Sequence, residues 1–398
     1  MADTLHTYAP LFLPISWKSE QIQKNEDREH AIRSLFSTID GVDVEAVEWP
    51  FGYGSLDHDN LPLFYQPAAK VRLPTSAIAP TVIEATLYLY DNYLGVLHTK
   101  VAFDASNALP DDLAVSQLIE SYSHDVLAPM FRGVQANLGG HDLIEPQKLG
   151  FSKDPTTLTS ASPLWVARLL CRAPETSKET YSEWLHSEAV DSETLVLGTG
   201  NYLVNEPDKL QDIHRPMLLA QFHAALIAQI ETLLEVSLTA FNSSYFTSEK
   251  QRRVKEELRR HQYRNDHIQF ILIQFSSANE GTQGFRRDIL RQLNEAWATD
   301  QQEKRILRLE SLVQERLNRQ RDELLREQSR WITALLVFMS VLTIFSLMVD
   351  LSALDGTIEH SRTTGILDVF RLFSAEHILS LTMLLVMTLT FYIYRNHD

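Results

Sequence analysis

The chain has 398 residues, of which 44% are hydrophobic and 22% charged, with a formal net charge of −16 and one cysteine. A single cysteine excludes an internal disulfide and a multi-thiolate metal site within one chain, and it suits a reducing cytoplasm. Before residue 249, acidic side chains are roughly twice as numerous as basic ones, so we expect no nucleic-acid partner.

Residues 1–205 alternate strand-like and helix-like patterns and predict a cytoplasmic α/β (α+β) domain with a mixed sheet. The predicted strands are Tyr8–Ile15, Val42–Trp49 and Leu164–Leu170, with one hairpin of Thr86–Leu89 and Leu94–Phe103 that turns at Asp91-Asn92 and a second hairpin over Thr194–Val204. Helices are predicted over Asp27–Ile39 and Asp111–Asn137, the second broken or kinked at Pro129. The segments 50–80 and 139–163, rich in Pro, Gly, Ser and Thr, predict long loops.

Motifs for catalysis are few in this domain. Gly198-Thr199-Gly200 lacks the third glycine of a dinucleotide fingerprint and the lysine of a phosphate loop, so it predicts a hairpin turn. His58 and the pair His141-Asp142 are candidate metal ligands, but no second pair at helical spacing accompanies either. We therefore predict no enzymatic activity and no cofactor.

Residues 206–330 predict a helical bundle that ends in a long stalk. Arg215–Phe241 is strongly apolar, with Pro216 expected in the first helical turn. Glu303–Arg330 contains no Gly or Pro, and its apolar residues form a narrow seam. The seam fits a coiled coil or packing within the same subunit; it comprises Ile306, Leu309, Val313, Leu317, Leu324 and Trp331.

Two uncharged segments close the chain and predict a hairpin of two transmembrane helices. Trp331–Val349 and Ile378–Tyr394 approach the roughly 20 apolar residues that a membrane span needs. Arginines precede the first span and Arg395 follows the second, whereas the loop 350–377 is acidic. The positive-inside bias then predicts a multi-pass protein of the bacterial inner membrane, with both termini in the cytoplasm and this loop outside.

A polar stripe marks one face of the first span. Met339, Thr343, Ser346 and Asp350 recur at spacings of four, three and four residues, which places them on one side of a helix. Small hydroxyl residues pack and hydrogen-bond between spans. Alternatively, several copies around an axis would line a wet path, with Asp350 as a cation-attracting ring at the outer mouth. Two spans cannot enclose a pore, so the second interpretation requires a homo-oligomer.

This layout resembles the CorA-type divalent-cation transporters over nearly the whole chain. Leu87–Val101 is similar to the strand-turn-strand segment of that family, and Glu303–Asp350 is similar to its stalk and pore helix. The resemblance implies a homopentamer whose first span lines the pore, with Met339, Thr343 and Ser346 facing the axis. It also implies that the acidic cytoplasmic domain senses the divalent ion.

The signature of that family, Gly-Met-Asn at the outer end of the first span, is absent. The corresponding place reads Met348-Val349-Asp350-Leu351, and the loop that follows is longer than the short link of the family. The resemblance therefore implies a CorA-like scaffold with a different cation filter, centred on Asp350, and magnesium selectivity does not follow from it. A divalent cation such as Mg²⁺ is a candidate for the transported or regulatory ion.

Two functions are consistent with these patterns. The first is a homo-oligomeric inner-membrane cation channel or transporter with a cytoplasmic regulatory domain. The second is a membrane-anchored sensor or effector, for example in antiviral defence, whose soluble domain binds a ligand or partner and triggers membrane permeabilisation. Both require the lipid bilayer as a partner, and they differ in whether ions pass without a trigger.

Overall fold

The computed structural model describes most of the residues in the ranges 3–17, 25–45, 67–90, 94–103, 109–138, 144–146, 160–242 and 282–355, and isolated positions beyond them. The chain divides into two units, Met1–Val313 and Gln314–Asp398. The first unit holds a large sheet and most of the helices. The second begins inside the last long helix.

The first unit is built on a mixed sheet of eight strands, as the sequence predicts. Its strand order is β3-β4-β5-β6-β1-β8-β10-β9. All neighbours are antiparallel except β8 and β10, which are parallel. The strands are β1 (Asp3–Phe12), β3 (Asp43–Glu45), β4 (Ala69–Arg72), β5 (Val82–Leu89), β6 (Leu94–Phe103), β8 (Ala167–Cys171), β9 (Leu195–Leu197) and β10 (Asn201–Val204). A separate pair joins β2 (Ile15–Trp17) to β7 (Ile144–Pro146).

Four helices cover one face of the sheet: α1 (Asn25–Phe36), α2 (Asp112–Tyr122), α3 (Ala128–Asn137) and α4 (Lys178–Leu185). Side chains alternate along a strand, so Leu5, Ala9 and Leu11 of β1 all join the apolar core beneath these helices. The predicted break near Pro129 is a turn of π-helix, Ser123–Leu127, after which Pro129 occupies the first turn of α3. Proline is tolerated there because the first N–H groups of a helix lack partners.

A single long helix, α5 (Leu210–Asn242), lies against the other face, over β1 and β6. It begins at Leu210, after a 3₁₀ turn at Pro207–Lys209. Pro216 is therefore inside the helix, and our expectation of Pro216 in the first turn was wrong. A second helix, α6 (Phe285–Ala296), packs on α5, where the Arg286 guanidinium donates to Asp212 at 2.7 Å.

The last helix, α7 (Thr299–Asp355), is 57 residues long and includes both the predicted stalk and the predicted first span. Its first turns contact α5, because Arg305 lies 2.7 Å from Glu231 and the His223 ring lies 3.2 Å from Glu303. Ile306 and Val313 of the seam are buried within the chain, which favours packing inside the subunit for this part of the stalk. The helix continues past Val349 to Asp355.

Substitution of Gly198 tests how tightly the β9–β10 hairpin packs against α4. A Cβ at this position would lie 2.3 Å from the carbonyl oxygen of Leu185 and 2.9 Å from its Cα. We expect Gly198→Ala to destabilise the fold by about 2–3 kcal/mol, because backbone atoms would have to move apart. The measurement is the thermal unfolding of the purified chain.

Gly133→Ala in α3 is the matched control. A Cβ there would meet only the Ile39 side chain, at 3.9 Å, and alanine stabilises a helix interior by roughly 0.5–1 kcal/mol relative to glycine. Equal melting temperatures for the two variants would contradict the close packing of the hairpin.

Candidate functional site

The second half of α7 exposes apolar side chains in every direction around the helix. Trp331 is 77% exposed, Leu335 64% and Leu336 60%. Other large apolar side chains of this segment are also exposed, namely Ile332, Phe338, Met339, Leu342, Ile344 and Leu347. A helix that is apolar all round belongs in the core of a large protein or in a membrane.

Length and composition alone select a different helix as a membrane span. Within the described residues, only Pro207–Glu235 is both long and apolar enough, and 72% of its most apolar stretch is buried. That segment is α5 with its preceding turn, so its burial under the sheet identifies it as a core helix. Ser329–Ile344 of α7 is apolar but shorter than a full span over its described residues.

The hydroxyl groups of the exposed apolar segment bond to their own helix. Thr333 donates to the carbonyl oxygen of Ser329, Ser340 to that of Leu336, and Thr343 to that of Met339, each at 2.8 Å. Bonding to the carbonyl four residues back satisfies a serine or threonine donor without a second helix. The donor hydrogens of these three side chains therefore need no acceptor from the surroundings.

The predicted stripe lies on α7. Met339, Thr343 and Ser346 are exposed, and the backbone of Asp350 is helical. Since a helix turns about 100° per residue, the four positions share one side. The Asp350 side chain and nearly all of Ile378–Tyr394 lie outside the described residues, as do His58, His141 and Asp142.

A second candidate site, which the sequence did not indicate, is a group of histidines and tyrosines between the sheet and α5. We call it the His–Tyr cluster: His6, Tyr8, Tyr88, His98 and His214. β1 supplies the first two, β5 supplies Tyr88 and β6 supplies His98 directly opposite Tyr8. α5 supplies His214, whose ring meets that of His98 edge-on at 4.5 Å.

Hydrogen bonds join all five members in two groups. Nδ1 of His6 and Nε2 of His98 are 3.0 Å apart. The Tyr8 hydroxyl lies 2.9 Å from Nδ1 of His214, and the Tyr88 hydroxyl lies 3.0 Å from its Nε2. A neutral imidazole has one donor and one acceptor nitrogen, so neutral His214 donates to one tyrosine and accepts from the other.

Burial keeps these histidines neutral near pH 7. It is the main reason that the pKa of His6 falls to about 4, with the Lys100 ammonium adding to the effect and Glu84 opposing it. Burial likewise lowers the pKa of His214 to about 4 and that of His98 well below its usual value, and in both cases neighbouring histidines and Lys100 add to the shift. Burial also raises the pKa of Tyr88 to about 12. The site as a whole disfavours positive charge.

The cluster lacks the geometry of a metal centre. Four of its six ring nitrogens face another imidazole or a tyrosine hydroxyl, whereas metal ligands converge on one point. Within the described part of the chain, no three His, Cys, Asp or Glu side chains are arranged to hold a metal ion. The chemistry available to the cluster is proton uptake by its histidines, at the buried contact between the sheet and α5.

A second buried network, on the opposite side of the sheet, is structural. Arg168 of β8 donates to Asn201 at 3.0 Å and to the carbonyl oxygen of Asp112 at 3.1 Å. Asn201 in turn donates to the Asp112 carboxylate and to the carbonyl oxygen of Trp184. These bonds tie β8 and β10 to the start of α2 and the end of α4.

Comparisons with protein-family models, curated proteins and solved structures give no match to this chain. The assignment of a function therefore depends on the residues themselves.

The two tyrosines of the cluster differ in their access to water, which gives a direct test. Tyr8 is fully buried and Tyr88 is partly exposed. We expect Tyr8→Phe to cost about 1–3 kcal/mol, because it leaves a buried His214 nitrogen without its partner. Tyr88→Phe should cost less, since water can replace the lost hydroxyl. The denaturation midpoints of the two variants measure these losses of stability. An equal or larger loss for Tyr88→Phe would contradict the difference in water access between the two hydroxyls.

Proposed function

We propose that the chain is a homo-oligomeric cation channel or transporter of the bacterial inner membrane, with a cytoplasmic regulatory domain and a CorA-like layout. The main observation in support of this proposal is the change of composition along α7. Along one unbroken helix, a charged segment that ends at Arg330 is followed by a segment whose apolar side chains are exposed all round. Placing a large apolar side chain in an apolar medium is favourable by roughly 1.5–3 kcal/mol.

The charges next to the apolar segment support an orientation. Arg319, Arg321, Arg326 and Arg330 are exposed on the last turns before Trp331. Arginine and lysine remain on the cytoplasmic side of a span, and tryptophan is favoured at the interface. The first unit, with its sheet, would then be cytoplasmic.

The pore itself is proposed from the stripe on α7. Met339, Thr343 and Ser346 would face a central axis in an oligomer, pentameric if the CorA-like layout holds, and Asp350 would form a carboxylate ring at the outer mouth. Such a ring attracts cations and repels anions. A divalent ion such as Mg²⁺ suits this arrangement, because carboxylate oxygens are its preferred ligands.

A second function remains open, that of a membrane-anchored sensor or effector. Two observations favour it. Ile306 and Val313 are already buried in one chain, so this part of the stalk needs no partner subunit. The His–Tyr cluster also places a chemically responsive group under α5, which contacts the start of α7. In this alternative the soluble domain receives a signal and the membrane segment permeabilises the bilayer.

The membrane location can be tested before conduction. We expect the full chain to stay with the membrane pellet after alkaline carbonate washing, because its apolar segments are in the bilayer. A chain ended after Arg330 should appear in the supernatant. Release of both forms would contradict the membrane assignment, whereas retention of both would place the anchor before residue 331.

Conduction is tested by the mass of the purified oligomer and by divalent-cation flux in liposomes. Asp350→Asn should lower the cation flux at least tenfold without changing the oligomer mass, since the amide removes the carboxylate charge from the outer mouth. Asp355→Asn, at the end of the same helix, is the matched control and should conduct like the natural chain.

Three outcomes of that experiment separate the functions. An oligomer that conducts and loses flux only with Asp350→Asn supports the channel with its filter. Equal flux in the two variants would remove Asp350 from the mechanism. A monomer or dimer without flux would contradict the pore and favour the sensor.

A further inference from the structure

The contact between α5 and the sheet contains a feature that a channel does not require. Most of that contact is apolar, as where Tyr90 stacks on Phe222 at 3.9 Å. At its N-terminal end the contact is made by three imidazoles and two phenols. His6 and His98 are both less than 9% exposed, and His214 contacts the strands at Tyr8, Tyr88 and His98.

Adding a proton to this group breaks a balance of donors and acceptors. Protonated His214 has two N–H donors, so the Tyr8 and Tyr88 hydroxyls would both have to accept. The hydroxyl that donated to neutral His214 would then need a new acceptor for its hydrogen. A charge on His98 would lie against two other imidazoles and near Lys100. Burying an unpaired charge is costly.

The groups that face the cluster offer little compensation. Glu84 is the acidic side chain whose charge favours protonated His6, and its carboxylate is already paired with Lys100 at 2.5 Å. Glu45 faces Tyr88 but is paired with Lys70 and Arg72. Among the described residues, the titratable or charged groups near the cluster include Tyr8 and Cys171 (β1 and β8), Lys100 (β6), Glu84 and Tyr88 (β5), Lys70 and Arg72 (β4), Glu45 (β3) and Arg215 (α5).

We propose that the His–Tyr cluster is a proton-operated contact, and that proton uptake by its histidines releases the N-terminal half of α5 from β1, β5 and β6. This property belongs to the first unit and holds whether or not the chain conducts ions. Because the N-terminal half of α5 also contacts the start of α7, where the His223 ring lies 3.2 Å from Glu303, its release removes a support from the first turns of α7.

The direction of the pH dependence follows from the pKa values. His6 and His214 have a pKa of about 4 in the closed contact, below the ordinary value of about 6.5 that each regains when exposed. The open form therefore binds more protons between these two values. The contact is fully favoured above pH 6.5 and is lost as the pH falls towards 4.

The experiment is hydrogen–deuterium exchange on the full chain in detergent at several pH values between 7.5 and 4.5, corrected for the intrinsic exchange rate. We expect protection of residues 210–230 to fall by roughly 50-fold per protonating histidine at pH 4.5. Residues 112–137, which pack on the opposite face of the sheet, should keep their protection. Unchanged protection of 210–230, or parallel loss in both segments, would overturn the proposal.

Three variants complete the test. The triple variant His6→Gln, His98→Gln, His214→Gln should show no pH-dependent release, and His124→Gln, at an exposed position on the π-helical turn, should behave like the natural chain. Lys100→Gln should move the midpoint of release to lower pH, because removing this nearby positive charge raises the pKa of all three histidines in the closed contact and so narrows the gap to the open form. Should the triple variant not fold, Lys100→Gln decides alone: an unmoved midpoint would contradict proton uptake by the cluster.

Discussion

The antiparallel pairing of β1 with β6 is the constraint on which the rest of the first unit depends. Ten residue pairs fix its register, from Asp3 opposite Phe103 to Phe12 opposite Leu94. A slip of one residue would exchange the two faces of a strand. It would move Leu5 and Ala9 out of the core under α1–α4 and turn Tyr8 away from His214. Thr7 and Thr99, whose hydroxyls lie 2.6 Å apart in the buried interior, pair only in this register. One register therefore assembles both the apolar core and the polar cluster.

Stability alone does not explain why the contact under α5 contains histidines. Replacing a buried polar network by well-packed apolar residues is often neutral or stabilising, and the remainder of α5 is held by apolar side chains such as Leu233 and Leu234. The polar cluster makes the attachment of the N-terminal end of α5 to the sheet depend on protonation. The apolar C-terminal end stays attached. The ion pair of Arg305 with Glu231 and the contact of His223 with Glu303 join the same helix to α7. A local change of charge under α5 thus has a physical route to the start of α7.

The sequence predicted the local elements well and the long-range arrangement poorly. The β5–β6 and β9–β10 hairpins were predicted because strand-like segments flank short turn sequences, and both are present. The strand order was not predictable, because the placement of β8 beside β1 and its parallel pairing with β10 depend on packing far apart in the chain. The cluster was missed for the same reason: His6 and His98 are 92 residues apart, and each alone resembles an ordinary polar residue in a strand. The only local signal of the cluster in the sequence was that His6 and Tyr8 lie two residues apart in β1. Both faces of that strand are buried in the structure.

The exposed apolar segment of α7 is the opposite case, because its chemistry follows from residues that are close together in the chain. A hydroxyl that donates its hydrogen to the carbonyl four residues back, as Thr343 does to Met339, leaves only acceptor lone pairs pointing outward. The free-energy cost of placing these lone pairs against lipid is little more than that of a backbone carbonyl. Towards a water-filled axis they present partial negative charge, which stabilises a passing cation and gives nothing to an anion. The same hydrogen bond therefore suits α7 to an apolar medium and, in the oligomer that we propose, would favour cations along the path that ends at Asp350.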